Sequence, residues 1–194
     1  MAKAVSTKPR RSADVEALEH VGLALLLAIG EDPERPGLKD TPKRFARAWR
    51  DFVEYDAGNS MTAFESISKD QMVVVSGMRV YSVCEHHLMP FWCDIAIGYI
   101  AIHKVLGLSK FARIAHRHAH KLQIQERLVE QIGTDVMKAT GARDVAVFGR
   151  GEHTCMVTRG IKTAGLMSCS FLRGKFKRDA KSREEFMLIA GVGR

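Results

Sequence analysis

The chain has 194 residues, of which 46% are hydrophobic and 27% charged, a balance typical of a globular protein and not of a disordered one. Thirty Lys and Arg against twenty-two Asp and Glu give a net charge of +8, which favours anionic partners such as nucleic acid or phosphates without choosing among them. The longest apolar run, residues 21–29, is too short to cross a bilayer, and the basic start lacks the apolar region of a secretory signal. We therefore expect a cytoplasmic protein without a membrane segment, whose four cysteines are thiols or metal ligands.

The predicted elements begin with two helices. Apolar residues at helical spacing predict a helix over 13–29, which Gly30 is placed to end. Thr41 as N-cap and Pro42 at the first helical position predict the start of a second helix. From Gln71 onwards, "MVVVSGMRVYSV" and "FWCDIAIGYIAI" are rich in β-branched and aromatic residues and predict two strands.

A long helical stretch follows over 107–141, opened by Ser109 and with an untidy apolar phase near residues 121–123, where we expect a break. "DVAVFGRGEHTCMVTRG" and "LMSCSFLRGKF" predict two more strands, and a short helix around "SREEF" follows. This order is α+β and not a series of βαβ units. We divide the chain into a flexible basic tail at 1–12, a helical subdomain at 13–65 and a catalytic domain at 66–194.

The stretch "SVCEHHLMP" directly follows the first long strand and points to a metal site. Cys84 and His87 have the C-x-x-H spacing that lets two side chains of one turn reach a single zinc ion. In "GEHTCMV", His153 and Cys155 are two residues apart and would point to the same face of a strand. If that strand lies near the turn, Cys84, His87 and Cys155 form a three-ligand zinc site with one open coordination position, as in catalytic zinc centres.

Two further histidines, His86 and His153, would then lie beside the metal as non-ligands suited to acid–base chemistry at neutral pH. Spacing alone leaves two alternatives open. A structural zinc could recruit Cys93 or Cys169 as a fourth ligand, or the cysteines could be buried thiols that bind no metal.

Cations at the start of the long helix suggest an anion site. In "GLSKFAR", Ser109 is the predicted N-cap, and Lys110 and Arg113 lie on the first turn. Cations there oppose the helix dipole, a cost that a bound phosphate would offset. Arg159, on the same predicted strand face as His153 and Cys155, would approach the metal from the other strand. An ordinary capped helix with solvated charges explains the same pattern.

Two other clusters give weaker signals. His116, His118 and His120 look like metal ligands, but only the first and last share a helical face, and a solvated surface is the favoured interpretation. "LRGKFKRDAKSR" could be a nucleic-acid patch, although one basic run with a single aromatic is usually a solvated edge.

The motifs "IGEDPERPGLKDTPKR", "SVCEHHLMPF", "GLSKFARI", "LQIQERL", "EHTCMVTRGI" and "SREEF" together resemble GTP cyclohydrolase I over about residues 15–190. The resemblance implies N-terminal helices followed by an antiparallel-sheet tunnelling fold (T-fold) packed with a long helical hairpin. It also implies a homodecamer of two pentamers with sites at subunit interfaces, and no nucleic-acid partner. The implied reaction is hydrolytic opening of the guanine imidazole ring of GTP, which releases formate and gives 7,8-dihydroneopterin triphosphate for tetrahydrofolate, other pterin or deazapurine synthesis.

The resemblance also implies a role for each matching residue. The zinc ligands correspond to Cys84, His87 and Cys155. The catalytic positions correspond to His86 and His153 as proton donors and acceptors, at the ribose ring oxygen and the purine N7, and to Ser109 at the ribose. The substrate-binding positions correspond to Gln125 and Glu126 at the guanine edge and to Lys110, Arg113 and Arg159 at the triphosphate. The alternatives are a related zinc-dependent pterin synthase and a zinc-stabilised basic nucleic-acid-binding module without turnover.

Overall fold

The computed structural model describes residues 12–67 and 70–192, and its contacts group the chain into two compact units, Met1–Asp56 and Ala57–Arg194. Of the predicted flexible tail at 1–12, only Ser12 lies among the described residues. No helix among the described residues is long and apolar enough to span a membrane.

The first unit contains the two predicted helices, α1 (Val15–Ala28) and α2 (Thr41–Val53). Gly30 follows α1 with a φ of 83°, a left-handed conformation that glycine adopts without strain. The predicted cap of α2 is wrong by one residue, because Asp40 is the N-cap and Thr41 is already helical, with Pro42 in the first turn.

The second unit is built on a five-stranded sheet in the order β5-β2-β3-β6-β7. Neighbouring strands are antiparallel except for β2 and β5, which run parallel, and a separate two-stranded sheet pairs β1 with β4. The strands are β1 (Ala63–Glu65), β2 (Gln71–Cys84), β3 (Pro90–Ala101), β4 (Lys104–Leu106), β5 (Leu122–Gln123), β6 (Val145–His153) and β7 (Met167–Leu172). The helices are α3 (Leu108–Ala119), α4 (Gln125–Thr140), α5 (Thr154–Val157), α6 (Lys175–Arg178) and α7 (Ala180–Ile189).

Helices cover both faces of this sheet, and the central strand β3 is therefore buried on both sides over most of its length. On one face, residues such as Ile97 pack with Phe111 of α3 and Ile132 of α4 in the larger core. On the other face, Phe176 and Phe186 of α6 and α7 form a smaller core and contact each other edge to face at 5.7 Å. The expected α+β architecture with an antiparallel sheet is confirmed.

The predicted break in the long helix is also confirmed, and it positions the site. Ser82 of β2 donates a hydrogen bond to the carbonyl of Ala119, 2.6 Å away, where α3 ends. The short strand β5 then pairs with the end of β2, so that Gln123 lies opposite Cys84. Because α4 begins two residues later, its first turn lies beside the stretch that carries the candidate metal ligands.

Ser109 is not an N-cap. The residue that precedes α3 is Gly107, no side chain caps this helix end, and Ser109 is an exposed residue within the first helical turn.

Candidate metal centre and active site

A tight turn between β2 and β3 brings Cys84 and His87 together. The Cys84 N–H donates to the carbonyl of Met89 at 2.8 Å, and the Leu88 N–H donates to the carbonyl of Cys84 at 2.9 Å. Leu88 has a φ of 54°, the left-handed conformation that lets the chain reverse so sharply. The Sγ of Cys84 consequently lies 3.7 Å from the Nδ1 of His87.

Cys155 lies near Cys84 and His87, but in a different secondary structure from the one that the sequence predicts. The prediction that His153 and Cys155 share one strand face is wrong, because β6 ends at His153 and Cys155 lies in the single-turn helix α5. The Thr154 hydroxyl donates to the carbonyl of Pro90 at 2.5 Å, which fixes the start of α5 against the first residue of β3. The prediction that Arg159 lies on this strand face is wrong for the same reason, because β6 ends before it.

The ligand atoms of Cys84, His87 and Cys155 all lie within 4.8 Å of one another. Within residues 12–67 and 70–192, no other group of three or more His, Cys, Asp or Glu side chains converges in this way. Tetrahedral zinc with its usual bonds to sulfur and nitrogen holds two such atoms about 3.6 Å apart, close to the 3.7 Å between Cys84 and His87. The donor set therefore fits a thiophilic divalent ion.

The two cysteines are close enough to affect each other's protonation. Burial, followed by the neighbouring Cys84 thiol, raises the pKa of Cys155, because two thiolates side by side repel each other. The charge of Arg159 acts in the opposite direction, so this guanidinium lies within electrostatic reach of the cluster. A bound divalent cation would favour the thiolate forms of both cysteines.

His153 lies at the end of β6 with its ring held on two sides. The ring is stacked on Phe91, its register partner on β3, with centroids 4.4 Å apart and planes 9° apart. Its Nε2 lies 3.2 Å from the Oε1 of Gln125 in the first turn of α4. Burial lowers the pKa of His153, and the nearby carboxylate of Glu126 partly opposes this shift.

The model of the GTP cyclohydrolase I family matches residues 18–190 of this chain. The chain belongs to the GTP cyclohydrolase I family. It is 42% identical over 177 residues to GTP cyclohydrolase 1 of Hyperthermus butylicus, an alignment covering 91% of each chain. It is 42% identical over 182 residues to the protein of that name from Aquifex aeolicus, covering 92% of this chain and 98% of the relative. Among solved structures, the archaeosine synthase QueF-Like in the apo form aligns with 53% of this chain and 94% of its own, at 17% identity and a TM-score of 0.43.

Membership of the GTP cyclohydrolase I family confirms the resemblance that the motifs indicated, and with it the expectation of an enzyme. The structure brings together some of the residues that match this family's motifs. His153 contacts Gln125 and interacts electrostatically with Glu126, whereas Arg159 interacts electrostatically with Cys155 of the metal group. The two sets meet along the chain, because Cys155 follows His153 by two residues. His86 is exposed beside them, with its ring centroid 6.3 Å from that of His87.

Other residues that match the family's motifs have their described contacts outside this group. Lys110 donates to the carbonyl of Asn59 at 2.8 Å, and Arg113 donates to the carbonyl of Ala57 at 2.8 Å. Over the described part of the chain, no hydrogen bond or ion pair joins these cations, or Ser109, to the metal group. Lys110 and Arg113 thus donate to backbone carbonyls of the same chain.

Sequence reasoning missed two features that hold the metal turn in place. Arg127 of α4 forms an ion pair with Glu85, the residue directly after the ligand Cys84. The Glu85 N–H also donates to the carbonyl of Gln123 at 3.1 Å. The only sequence signal for the ion pair was the position of a glutamate inside C-E-H-H, and nothing in the pattern identified an arginine as its partner.

The basic stretch considered as a nucleic-acid patch has no exposed aromatic side chain in its centre. Phe176 is fully buried, and it packs against Phe186 in the smaller core. Base stacking requires an accessible ring. This observation removes the one feature that favoured a nucleic-acid surface there.

Proposed function

We propose that this chain is a GTP cyclohydrolase I, which opens the imidazole ring of GTP by hydrolysis, releases formate and forms 7,8-dihydroneopterin triphosphate. The observation that carries the proposal is the convergence of Cys84, His87 and Cys155 in a chain of this family. Two thiols and one imidazole, drawn from separate parts of the chain, suit a catalytic centre because they leave a coordination position for chemistry.

The metal that we propose is zinc, held by the Sγ atoms of Cys84 and Cys155 and by the Nδ1 of His87. The donor types and the 3.7 Å separation between Cys84 and His87 support this choice. When bound, zinc supplies a Lewis acid that can activate water near neutral pH.

Two histidines provide proton transfer in this proposal. His153 exchanges a proton at the purine N7, and His86 exchanges one at the ribose ring oxygen. The lowered pKa of His153 supports its role, because a histidine that is neutral near pH 7 can accept a proton. The stacking of Phe91 holds the plane of this ring fixed, which keeps the orientation of the transferred proton constant.

Substrate recognition divides between the two ends of GTP. The exposed carboxylate of Glu126 faces the guanine edge, where adjacent N1–H and N2–H groups can both donate to it. Ser109 lies at the ribose, and the triphosphate is held by three cations, Lys110, Arg113 and Arg159. Because the described contacts of Lys110 and Arg113 on α3 do not include the metal group of the same chain, we propose that neighbouring copies complete each site in a homo-oligomer, a decamer of two pentamers. A cytoplasmic location is part of the same proposal.

The direct test is to incubate the purified, zinc-loaded protein with GTP and to measure formate together with the fluorescent pterin obtained after oxidation. We expect both products in equal amounts, since each ring opening releases one formate. Metal-loaded protein that releases neither product would overturn the assignment. Nucleic-acid binding that weakens with salt, in the absence of turnover, would favour the binding-module alternative.

A further inference from the structure

Gln125 is fully buried at the start of α4, although it matches a position that the family resemblance assigns to the guanine edge. We propose, on the basis of the proposed function, that Gln125 is a positioning residue that holds His153 as its Nε2–H tautomer and leaves Nδ1 to exchange the proton with substrate. Three hydrogen bonds of the Gln125 amide carry this inference.

The first step fixes the orientation of the amide. Its nitrogen lies 3.1 Å from the carbonyl of Gly149 and 3.0 Å from the carbonyl of Met167. Both carbonyls can only accept hydrogen bonds, so the group that faces them must be the NH₂. With the amide reversed, its oxygen would face two other oxygens in a buried place, which is strongly unfavourable.

The second step follows from the first. Since both amide hydrogens point at carbonyls, the amide oxygen faces the Nε2 of His153 at 3.2 Å. An amide oxygen only accepts, so Nε2 must carry the hydrogen of this bond. A neutral His153 therefore has its lone pair on Nδ1, and this nitrogen can take up a proton and return it while the bond to Gln125 persists.

The third step concerns the space that lets Gln125 lie there. Two glycines of β6, Gly149 and Gly151, line its position, and a Cβ on Gly151 would lie 3.1 Å from the Gln125 oxygen and would also collide with the backbone of β3. Gly151 therefore leaves room for the amide oxygen, while the amide nitrogen bonds to one carbonyl of β6 and one of β7. An anchor on two strands and one histidine is a fixed support, unlike the exposed side chain of Glu126 next to it.

The two roles for Gln125 predict different kinetics. A guanine-edge residue contributes to substrate binding, and its loss raises KM. A residue that orients a functional histidine contributes to the chemical step. Partners that orient metal-ligating histidines contribute about 10- to 100-fold in metal affinity or activity, and we expect a loss of the same order here. Only the second role also fixes which nitrogen of His153 bears the hydrogen.

The decisive measurement is neutron diffraction from a deuterated crystal of the zinc-loaded wild-type protein, grown above the ordinary titration range of histidine. We expect deuterium on Nε2 of His153 and none on Nδ1. Deuterium on Nδ1, alone or together with Nε2, would overturn the proposal. This result can be read whether or not the protein turns over GTP, so that a failure of the proposed function is distinguished from a failure of the tautomer assignment.

Steady-state kinetics of two variants, Gln125→Met and Glu126→Gln, complement the neutron measurement. For Gln125→Met, which keeps the shape but neither donates nor accepts through an amide, we expect kcat to fall about 10- to 100-fold with KM within about twofold of wild type. For the neighbouring Glu126→Gln we expect the reverse, a raised KM with a smaller change in kcat. An increase in KM alone for Gln125→Met would overturn the positioning role. If this variant does not fold, the neutron measurement on the wild type decides the question.

Discussion

The chain carries histidines in two clusters, His86 and His87 in the turn after β2 and His116, His118 and His120 on α3. The first cluster contributes one imidazole to a set of converging metal ligands. The second has more histidines, and yet the described contacts of His118 and His120 are with other groups. His118 lies 2.8 Å from a carboxylate of α4, and the Nδ1–H of His120 donates to the carbonyl of His116 at 2.9 Å.

The difference shows that the density of potential ligands does not predict a metal site. A helix presents neighbouring side chains in different directions, so one helix rarely gathers three ligands around a point. The metal group instead combines a turn after β2 with a helical turn after β6, and the pairing of both strands with β3 brings these two segments together. Convergence of distant segments is the property that distinguishes the two clusters.

The strongest test of this contrast compares the loss of one metal ligand with the loss of one histidine from the second cluster. We expect Cys155→Ser to lose the bound metal and to reduce turnover to the background, because two ligands and a hydroxyl hold zinc far less firmly than the full set. We expect His118→Ala to retain one metal per chain. The measurement is metal content by mass spectrometry on dialysed protein, together with formate release.

Cys93→Ala serves as a control for the loss of a thiol, since Cys93 is fully buried and lies outside the metal group. It should keep both metal and turnover. Equal metal loss in His118→Ala and Cys155→Ser would contradict the assignment of the site.

A second test separates binding of the metal from chemistry at the metal. His153 precedes the metal ligand Cys155 by two residues, and its Nε2 is hydrogen-bonded to Gln125. We expect His153→Ala to retain the metal and to lose at least about 100-fold in kcat, the usual contribution of a positioned acid–base group. Unchanged kcat, measured with metal content in the same preparation, would remove His153 from the mechanism.

The metal site shows what the sequence could and could not predict. C-x-x-H spacing placed Cys84 and His87 correctly, because the spacing of two ligands within one turn is a local property. The strand argument for Cys155 was wrong, because the chain changes from β6 to a helical turn just before it. The hydrogen bond from the Thr154 hydroxyl to the carbonyl of Pro90, which holds the start of α5 against β3, joins residues far apart in the sequence, and no local pattern encodes it.

The α3 region and Gln125 show a second limit of prediction from the sequence. The sequence predicted the break between α3 and α4 from an irregular apolar phase, but burial of a polar residue leaves no such periodic signal. Gln125 is buried beside Gly151, which leaves room for its amide oxygen, and against the carbonyl of Gly149, and both contacts depend on how β6 lies against α4. Likewise, the charges of Lys110 and Arg113 could be read from the sequence, whereas their carbonyl partners in segment 57–59 could not.

A third test asks whether the cations of α3 bind substrate or only support segment 57–59. Arg113 donates to the carbonyl of Ala57, and one turn further Arg117 donates to the carbonyl of Gly58 at 3.2 Å. If Arg113 also binds the triphosphate, Arg113→Ala should raise KM for GTP about 10-fold, since a hydrogen bond to a charged group contributes roughly 1.5 kcal/mol or more.

Arg117→Ala is the matched control, because it removes the same kind of carbonyl contact from the same helix and is not expected to alter KM. Steady-state kinetics on both variants distinguish the two roles. Equal, small effects on KM would show that this row of cations supports the chain and does not bind GTP.

The smallest expected effect concerns Asp135, the carboxylate that pairs with His118 of the second histidine cluster. Burial alone would raise the pKa of Asp135, but the hydrogen bond and charge of His118, with Lys138 nearby, lower it overall. A carboxyl whose pKa is lowered on folding stabilises the protein above its unfolded pKa of about 3.9, and this contribution disappears as the pH falls through the lower folded value. We expect Asp135→Asn, which keeps a neutral hydrogen bond, to lower the free energy of unfolding by about 1 kcal/mol near pH 7.

In urea denaturation at fixed protein concentration, Asp135→Asn and wild type should therefore differ less in their free energy of unfolding as the pH falls through the lowered pKa of folded Asp135. Glu130→Gln, an exposed carboxylate on the same helix, is the control and should change stability by less than about 0.5 kcal/mol. Metal content and KM should remain those of the wild type in both variants. A loss of metal from Asp135→Asn would mean that the second cluster contributes to the metal centre after all, and the contrast between the two clusters would then fail.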